Sequence, residues 1–287
     1  MKLIRFGEKG KEKPGVILSD GSRRDVSTFV NDFDETFFEK GGISKLQNWL
    51  KAEGSNSLVV SNDVRLGPPV AKPSKIICVG LNYTRHAKES GMALPSEPVL
   101  FFKAPSALSG PNDDIIIPKN SKKTDWEVEI AIVIGKRALY IDEKDALDYI
   151  AGYVLHNDVS EREFQLEGSG QWVKGKSADS FAPIGPFLAT KDEIPDPGKL
   201  DLWLKLNGKT MQSSDTSDLI FKIPFLVSYI SRFMSLIPGD IISTGTPSGV
   251  GLGLKPPSYL KPGDVVELSV EGLGVAKQNV VAWLPGL

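Results

Sequence analysis

The sequence predicts an α+β protein that is mostly β, with a small N-terminal α+β domain over residues 1–68 and a larger β-rich domain over 69–287. Three observations carry this prediction. After the first quarter of the chain the apolar runs are short and repeatedly broken by Gly and Pro: "IICVG", "VLFFK", "EIAIVIG", "GYVLHND", "LDLWLKLNG", "DIISTG" and "DVVELSV". That is strand spacing. Stretches with helical character are few. Finally, "LGPPVAKPSK" at 66–75 holds three prolines in ten residues and reads as a linker, because proline continues neither a helix nor a central strand.

Taken in order, "LIRF", "GVIL" and "SDGSRRDVS" are short strands joined by Gly- and Asp-containing turns, and "ISKLQNWLKAEG" is a helix. In the larger domain "EKDALDYIAG" and "SDLIFKIPFLVSYISRFM" are the best helix candidates. Pro-Gly-Asp occurs at Pro238 and at Pro262, each time before an apolar run, which is turn chemistry and not a sequence repeat.

At 287 residues, 40% hydrophobic and 24% charged, the chain can bury a sizeable core. A formal net charge of -2 and no Lys/Arg cluster with interleaved aromatics argue against nucleic acid as a partner. No run approaches the ~20 apolar residues of a spanning helix. The start "MKLIRFGEKGKEK" lacks the apolar stretch of a signal peptide, so a cytoplasmic protein without a membrane partner is expected. The one cysteine, Cys78, excludes an intramolecular disulfide and a thiolate metal cluster, and within "KIICVG" it reads as core filling.

In "KTDWEVEIAIVIG" the carboxylates Asp125, Glu127 and Glu129 alternate with Trp126, Val128 and Ile130, so a strand aims three negative charges to one side. Such neighbours raise one another's pKa unless something positive intervenes. The alternation places Lys123 on the same side. A solvated acidic face and a divalent-cation site both fit the pattern; oxygen-only ligands select a hard ion such as Mg²⁺ or Mn²⁺. Asp158, ending "GYVLHND", offers a further carboxylate. In "GLNYTRHAKESG", Asn82 or Thr84 can cap a short helix that Gly91 stops, which puts His86 and Glu89 on one face. That pair is either an oriented general base or a surface ion pair. Arg162 and Gln165 follow Asp158 by four and seven residues, and Lys176 lies between Gly175 and Ser177. These long donors suit a substrate carboxylate or an oxyanion, or are simply solvated. "STGTPSGVGLG", from Ser243, has neither the phosphate-loop spacing nor a following helix, so no nucleotide site is read there.

In this order, "GLNYTRHAKESG", "EPVLFFK", "DWEVEIAIVIG", "NDVSEREFQ", "GKS" and "GTPSGVG" resemble the fumarylacetoacetate hydrolase superfamily from about residue 72 to the C-terminus. The resemblance implies a mixed β-roll catalytic domain binding Mg²⁺ or Mn²⁺ through Glu127, Glu129 and Asp158, with Asp125 outside the ligand set. It further implies His86 with Glu89 as the water-activating pair on a lid that orders with substrate. Arg162, Gln165, Lys176 and Thr246 become substrate and oxyanion contacts, and Lys103 matches a further family lysine counted with the substrate contacts. The whole chain is most similar to the branch often labelled ureidoglycolate lyase, which contains 2,4-diketo-3-deoxy-L-rhamnonate and L-fuconate hydrolases. His156 departs from the pattern, because a residue that does not titrate is expected there. It reads as support for the ligands or as a competing base.

The function implied is metal-dependent hydrolysis of a C–C bond in a 2,4-diketo acid, giving pyruvate and a hydroxy acid, by a homodimer. Oxaloacetate decarboxylation or isomerisation of an unsaturated diacid are the alternatives, followed by ureidoglycolate lyase activity. A non-catalytic metal-binding protein would leave the constellation broken, whereas every position is filled. For the acyl part, Ser169, Gln171, Ser177 and Ser180 around Lys176 suggest a polar, sugar-acid remnant.

Overall fold

The computed structural model describes residues 1–52, 57–85 and 94–285. The apolar runs become strands, as their β-branched content favours. Ile76–Gly80, Val99–Lys103, Val128–Ile134, Ile150–Asn157 and Ile241–Ser243 lie side by side within an 11-stranded sheet. Every residue of Val128–Ile134 is buried. A strand covered on both faces needs no polar alternation, which accounts for the continuous run "AIVI". A second sheet of five strands contains Ile115–Ile117, Asp201–Leu206, Lys209–Asp215, Val265–Val270 and Val275–Ala282. The Val128–Ile134 strand packs against Asp201–Leu206 and Val265–Val270, so the main core lies between the two sheets. Both are mixed: Ile241–Ser243 runs parallel to Ile76–Gly80, and Val275–Ala282 parallel to Ile115–Ile117, among antiparallel neighbours. The mostly-β, α+β class read from the sequence is the class observed.

Hydrogen bonds cross the boundary expected near residue 68. Lys2 and Leu3 pair with Ala189 and Leu188, so the N-terminal strand Lys2–Phe6 continues the sheet that carries the Val128–Ile134 strand. The proline-rich stretch is not a solvent-exposed linker either. Leu66–Gly67 pairs with Phe6 and Arg5, and residues 66–71 are buried, with Leu66 and Val70 in the core. Its prolines interrupt the ladder, while its apolar side chains still gain by burial.

Two helix expectations are trimmed. Residues Glu143–Tyr149 form a 3₁₀ helix, and Ile150 already begins a sheet strand, so tertiary pairing overrides local helix preference. The stretch around Phe225 is α-helical over Ile223–Ser231, after a 3₁₀ turn at Thr216–Asp218. Pro224 lies in its first turn, the place where a missing N–H costs nothing. Among the described residues no helix is long and apolar enough to cross a membrane.

Candidate active site

Strand register assembles the carboxylates. Val128 pairs with Asn157 and Glu129 with His156; one step beyond, the Asp158 N–H donates to the Glu127 carbonyl at 2.9 Å. Residues thirty apart in sequence are thereby brought together, and one oxygen each from Glu127, Glu129 and Asp158 lies within 4.8 Å of the others. All three residues are buried. The strand Ile241–Ser243 flanks them, with the Ser243 hydroxyl donating to Glu129 Oε2 at 2.5 Å and the Gly245 N–H to the same oxygen at 2.9 Å.

Asp125 does not join this group, because the strand is interrupted at Trp126. Thr124–Asp125 pairs instead with Ser160–Glu161. Asp125 accepts from the N–H groups of Gly251 at 2.7 Å and Leu252 at 3.0 Å and from Arg162 Nε at 2.8 Å. Lys123 also leaves the acidic face and pairs with Glu167 at the surface.

The positive charges come from elsewhere. Lys176 Nζ bridges Glu127 Oε2 and Asp158 Oδ2, both at 2.8 Å. Lys103 Nζ donates to Asp158 Oδ1 at 2.5 Å and to the Val159 carbonyl at 2.9 Å. Arg162 spans Asp125, Glu127 and the Gln165 carbonyl oxygen. Burial alone would push the Asp158 carboxyl up, but Lys103 and Lys176 outweigh it and hold the group well below the usual range. Glu129 has the opposite outcome. Burial, reinforced by the charges of Asp158 and Glu127, pushes it well up, and among the described residues no cation pairs with it. Burial lowers Lys103; in Lys176 the same burial is outweighed by Asp158 and Glu127, so its pKa rises and it stays an ammonium.

These residues suit a hard divalent cation. The donors are all carboxylate oxygens. One of them is a buried carboxylate with no positive partner, which is costly in a low-dielectric interior. With Glu129 ionised, as a cation ligand would be, the four carboxylates of Asp125, Glu127, Glu129 and Asp158 exceed the three cations Lys103, Arg162 and Lys176 by one charge among the described residues. A divalent ion would turn that into one positive charge in excess, which favours an anionic substrate.

A cavity of about 660 Å³ opens over the cluster. Glu127, Glu129, Asp158, Arg162, Gln165, Lys176 and Thr246, seven of the positions singled out in the sequence, all line it. Arg162 fixes the Gln165 amide by its oxygen at 2.9 Å, which leaves the amide nitrogen for a ligand. The Thr246 hydroxyl donates to the Val128 carbonyl at 2.9 Å and accepts from Gln212 Nε2 at 2.8 Å. It therefore offers the cavity a lone pair and not a proton.

Lys103, counted among the substrate contacts, is buried against Asp158 and does not line the cavity. His156 is not a competing base, for it too is buried outside the cavity lining, with Nδ1 2.6 Å from Ser243 Oγ and Nε2 without a partner. Burial lowers its pKa to about 3, so it is neutral. His86 and Glu89 lie outside the described residues. Asn82, expected as a helix cap, is buried and clamps Phe221 and Thr244 through its amide.

Ser169, Gln171, Ser177 and Ser180, read as a polar acyl subsite, do not line this cavity. Ser177 Oγ accepts from the Ala104 N–H, Ser180 Oγ from the Ile116 N–H, and Ser169 Oγ from Lys174. Gln171 lines a separate outer cleft with Phe102 and Val173. The cavity walls are instead Leu81, Phe101, Trp172, Val250, Leu252 and Leu254. Trp172 sits edge-on to Phe101 with centroids 5.4 Å apart, and it rests on Gly80, where any Cβ would come within 2.5 Å of the indole. The Lys176 ammonium lies 5.0 Å from the Phe101 ring centroid, a cation–π contact that steadies it.

Gln212 and Ser243 were not singled out in the sequence, and the partner of His156 was not foreseen. Their contacts to this site span 84 to 114 residues of chain, a range over which one sequence carries no pairing signal.

Comparison with known proteins gives a consistent picture. Residues 75–281 match the family model described as fumarylacetoacetate (FAA) hydrolase C-terminal. A protein of Burkholderia lata named as a hydrolase is 49% identical over 280 residues, covering 97% of this chain and 98% of its own. Among solved structures, the maleylpyruvate hydrolase from Sphingobium sp. SYK-6, in complex with manganese(II) and pyruvate, superposes with a TM-score of 0.82 at 28% identity, over 99% of this chain and 100% of that one. A 5-carboxymethyl-2-hydroxymuconate delta-isomerase from Mycobacterium smegmatis gives 0.78 at 34% identity, over 99% and 100%.

Proposed function

The chain belongs to the fumarylacetoacetate hydrolase family, and from that premise we propose that it is a divalent-metal-dependent hydrolase cleaving the C–C bond of a 2,4-diketo acid of the acylpyruvate type. The observation that carries the reading is Glu129, a buried carboxylate without a cationic partner among the described residues, set beside Glu127 and Asp158 in a cavity with apolar walls. The manganese and pyruvate of the Sphingobium maleylpyruvate hydrolase supply the chemical precedent.

A Mg²⁺ or Mn²⁺ ion held by Glu127, Glu129 and Asp158 would supply fixed positive charge for the carboxylate and 2-oxo oxygens of the pyruvoyl end. His86, oriented by Glu89, is the proposed base that takes a proton from water as it attacks the C4 carbonyl. Lys176 remains protonated, so its role is to donate, with the Gln165 amide, to the oxygen that becomes negative at C4. Arg162 acts at one remove by holding Gln165 and Glu127 in place. Collapse then breaks the C3–C4 bond, the carbonyl carbon leaves as a carboxylic acid, and C3 gains a proton to give pyruvate. The walls formed by Phe101, Trp172, Leu252 and Leu254 favour an acyl part that is largely apolar over the sugar-acid remnant expected from the sequence, since burying hydroxyls there without partners would cost affinity.

A second reading, isomerisation of an unsaturated diacid, has the Mycobacterium smegmatis isomerase in its favour. A substrate panel separates them: an apolar acylpyruvate, a 2,4-diketo-3-deoxy sugar acid, oxaloacetate and a 2-hydroxydienedioate, compared by kcat/KM. The apolar acylpyruvate is expected to lead by at least tenfold, about 1.4 kcal/mol in transition-state preference. A lead for the dienedioate without pyruvate release would replace hydrolysis by isomerisation.

A further inference from the structure

Glu129 accepts both of its hydrogen bonds on one oxygen, Oε2, from Ser243 Oγ at 2.5 Å and from the Gly245 N–H at 2.9 Å. Ser243 is fully buried and its hydroxyl carries one proton. Spending that proton on Glu129 leaves its oxygen free to accept, and His156 Nδ1 lies 2.6 Å away to donate. A directional chain results: imidazole N–H to hydroxyl, hydroxyl O–H to carboxylate. With Nδ1 carrying the hydrogen, Nε2 bears a lone pair, in keeping with its lack of any partner. Backbone pairing holds the three groups in line, because Glu129 faces His156 across one ladder, while Ala131 faces Ser243 across the next.

We propose that Ser243, itself held by His156, is a positioning residue that turns one oxygen of Glu129 toward a divalent cation by anchoring the other. The inference deepens the metal-dependent reading and rests on it. Outer groups that orient a ligand typically contribute about 10- to 100-fold to metal affinity. Neither residue lines the cavity, so neither is expected to touch substrate.

The test is calorimetric titration of MnCl₂ into chelator-stripped protein. Wild type is expected to take up one equivalent. Ser243→Ala should bind about 10- to 100-fold more weakly, whereas Ser243→Thr, which keeps the hydroxyl on a strand that tolerates β-branching, should stay within a few-fold. Thermal unfolding of the stripped variants checks that each is folded. Should Ser243→Ala not fold, the pair at His156 decides: His156→Leu removes the donor and should weaken Mn²⁺, while His156→Asn keeps an N–H near the Nδ1 position and should preserve it. Wild-type affinity in Ser243→Ala or in His156→Leu, or equal losses in the alanine and threonine variants, would overturn the positioning role alone. Failure of the wild-type chain to bind Mn²⁺ would overturn the metal reading and this inference with it.

Discussion

Glu129 and Asp158 sit within one cluster yet are stabilised by different means. Asp158 is met by two ammonium groups, Lys103 and Lys176, and Glu129 by a hydroxyl and an amide. Strand alternation was enough to place Glu127 and Glu129 together, and it misplaced Asp125 and Lys123 because the strand breaks at Trp126. Lys103 reaches Asp158 across 55 residues, so its depth beneath the cavity could not be read locally. His156 gives a testable consequence. Its folded pKa of about 3 lies below that of an unfolded histidine, about 6.5. Above that pH neither state holds the proton. As pH falls, the unfolded chain takes it up and the folded chain does not, so stability drops with a slope of up to about 1.4 kcal/mol per pH unit. Urea unfolding of metal-free protein between about pH 7 and pH 5 should therefore fall more steeply in wild type than in His156→Asn. Parallel slopes would mean that His156 is not buried neutral.

At the scale of elements, the strand that carries Glu129 and the loop that carries Thr246 are tied to the second sheet by buried amides. Gln212, on Lys209–Asp215, accepts from the Val128 N–H at 3.0 Å and donates to Thr246 Oγ1 at 2.8 Å and to the Pro247 carbonyl at 2.9 Å. Asn157 accepts from the Glu127 N–H at 3.0 Å and donates to Gln278 at 2.8 Å. Gln212→Leu keeps volume but strands the Val128 N–H. An orphaned buried donor costs about 1–3 kcal/mol, so a clear fall in Tm is expected, with kcat/KM reduced more than Mn²⁺ affinity because Thr246 lines the cavity and Gln212 holds no ligand. An unchanged Tm would show that water or a shift of the loop replaces the amide. The strands themselves were legible, since each apolar run named a real one. The helix over 143–152 was not, because the sheet captures Ile150, Ala151 and Gly152, a competition that no local window contains.

Over the whole molecule, the N-terminal strand Lys2–Phe6 runs within the large sheet, and the first part of the proline-rich stretch, 66–71, is buried against it. The family was legible from the order of six motifs along the chain. The apolar lining of the cavity was not. Residues near Lys176 in sequence turn their hydroxyls to backbone amides, while the walls come from 79–81, 101, 172 and 250–257. On the proposed function, the carboxylate cluster must hold a divalent cation for a C–C bond to be broken. Pyruvate release from an apolar acylpyruvate by chelator-stripped protein, before and after one equivalent of Mn²⁺, with Glu129→Gln treated alike, tests this. Wild type should be silent when stripped and restored by Mn²⁺, and Glu129→Gln silent in both states. Full activity in the stripped protein, or in Glu129→Gln, would contradict it.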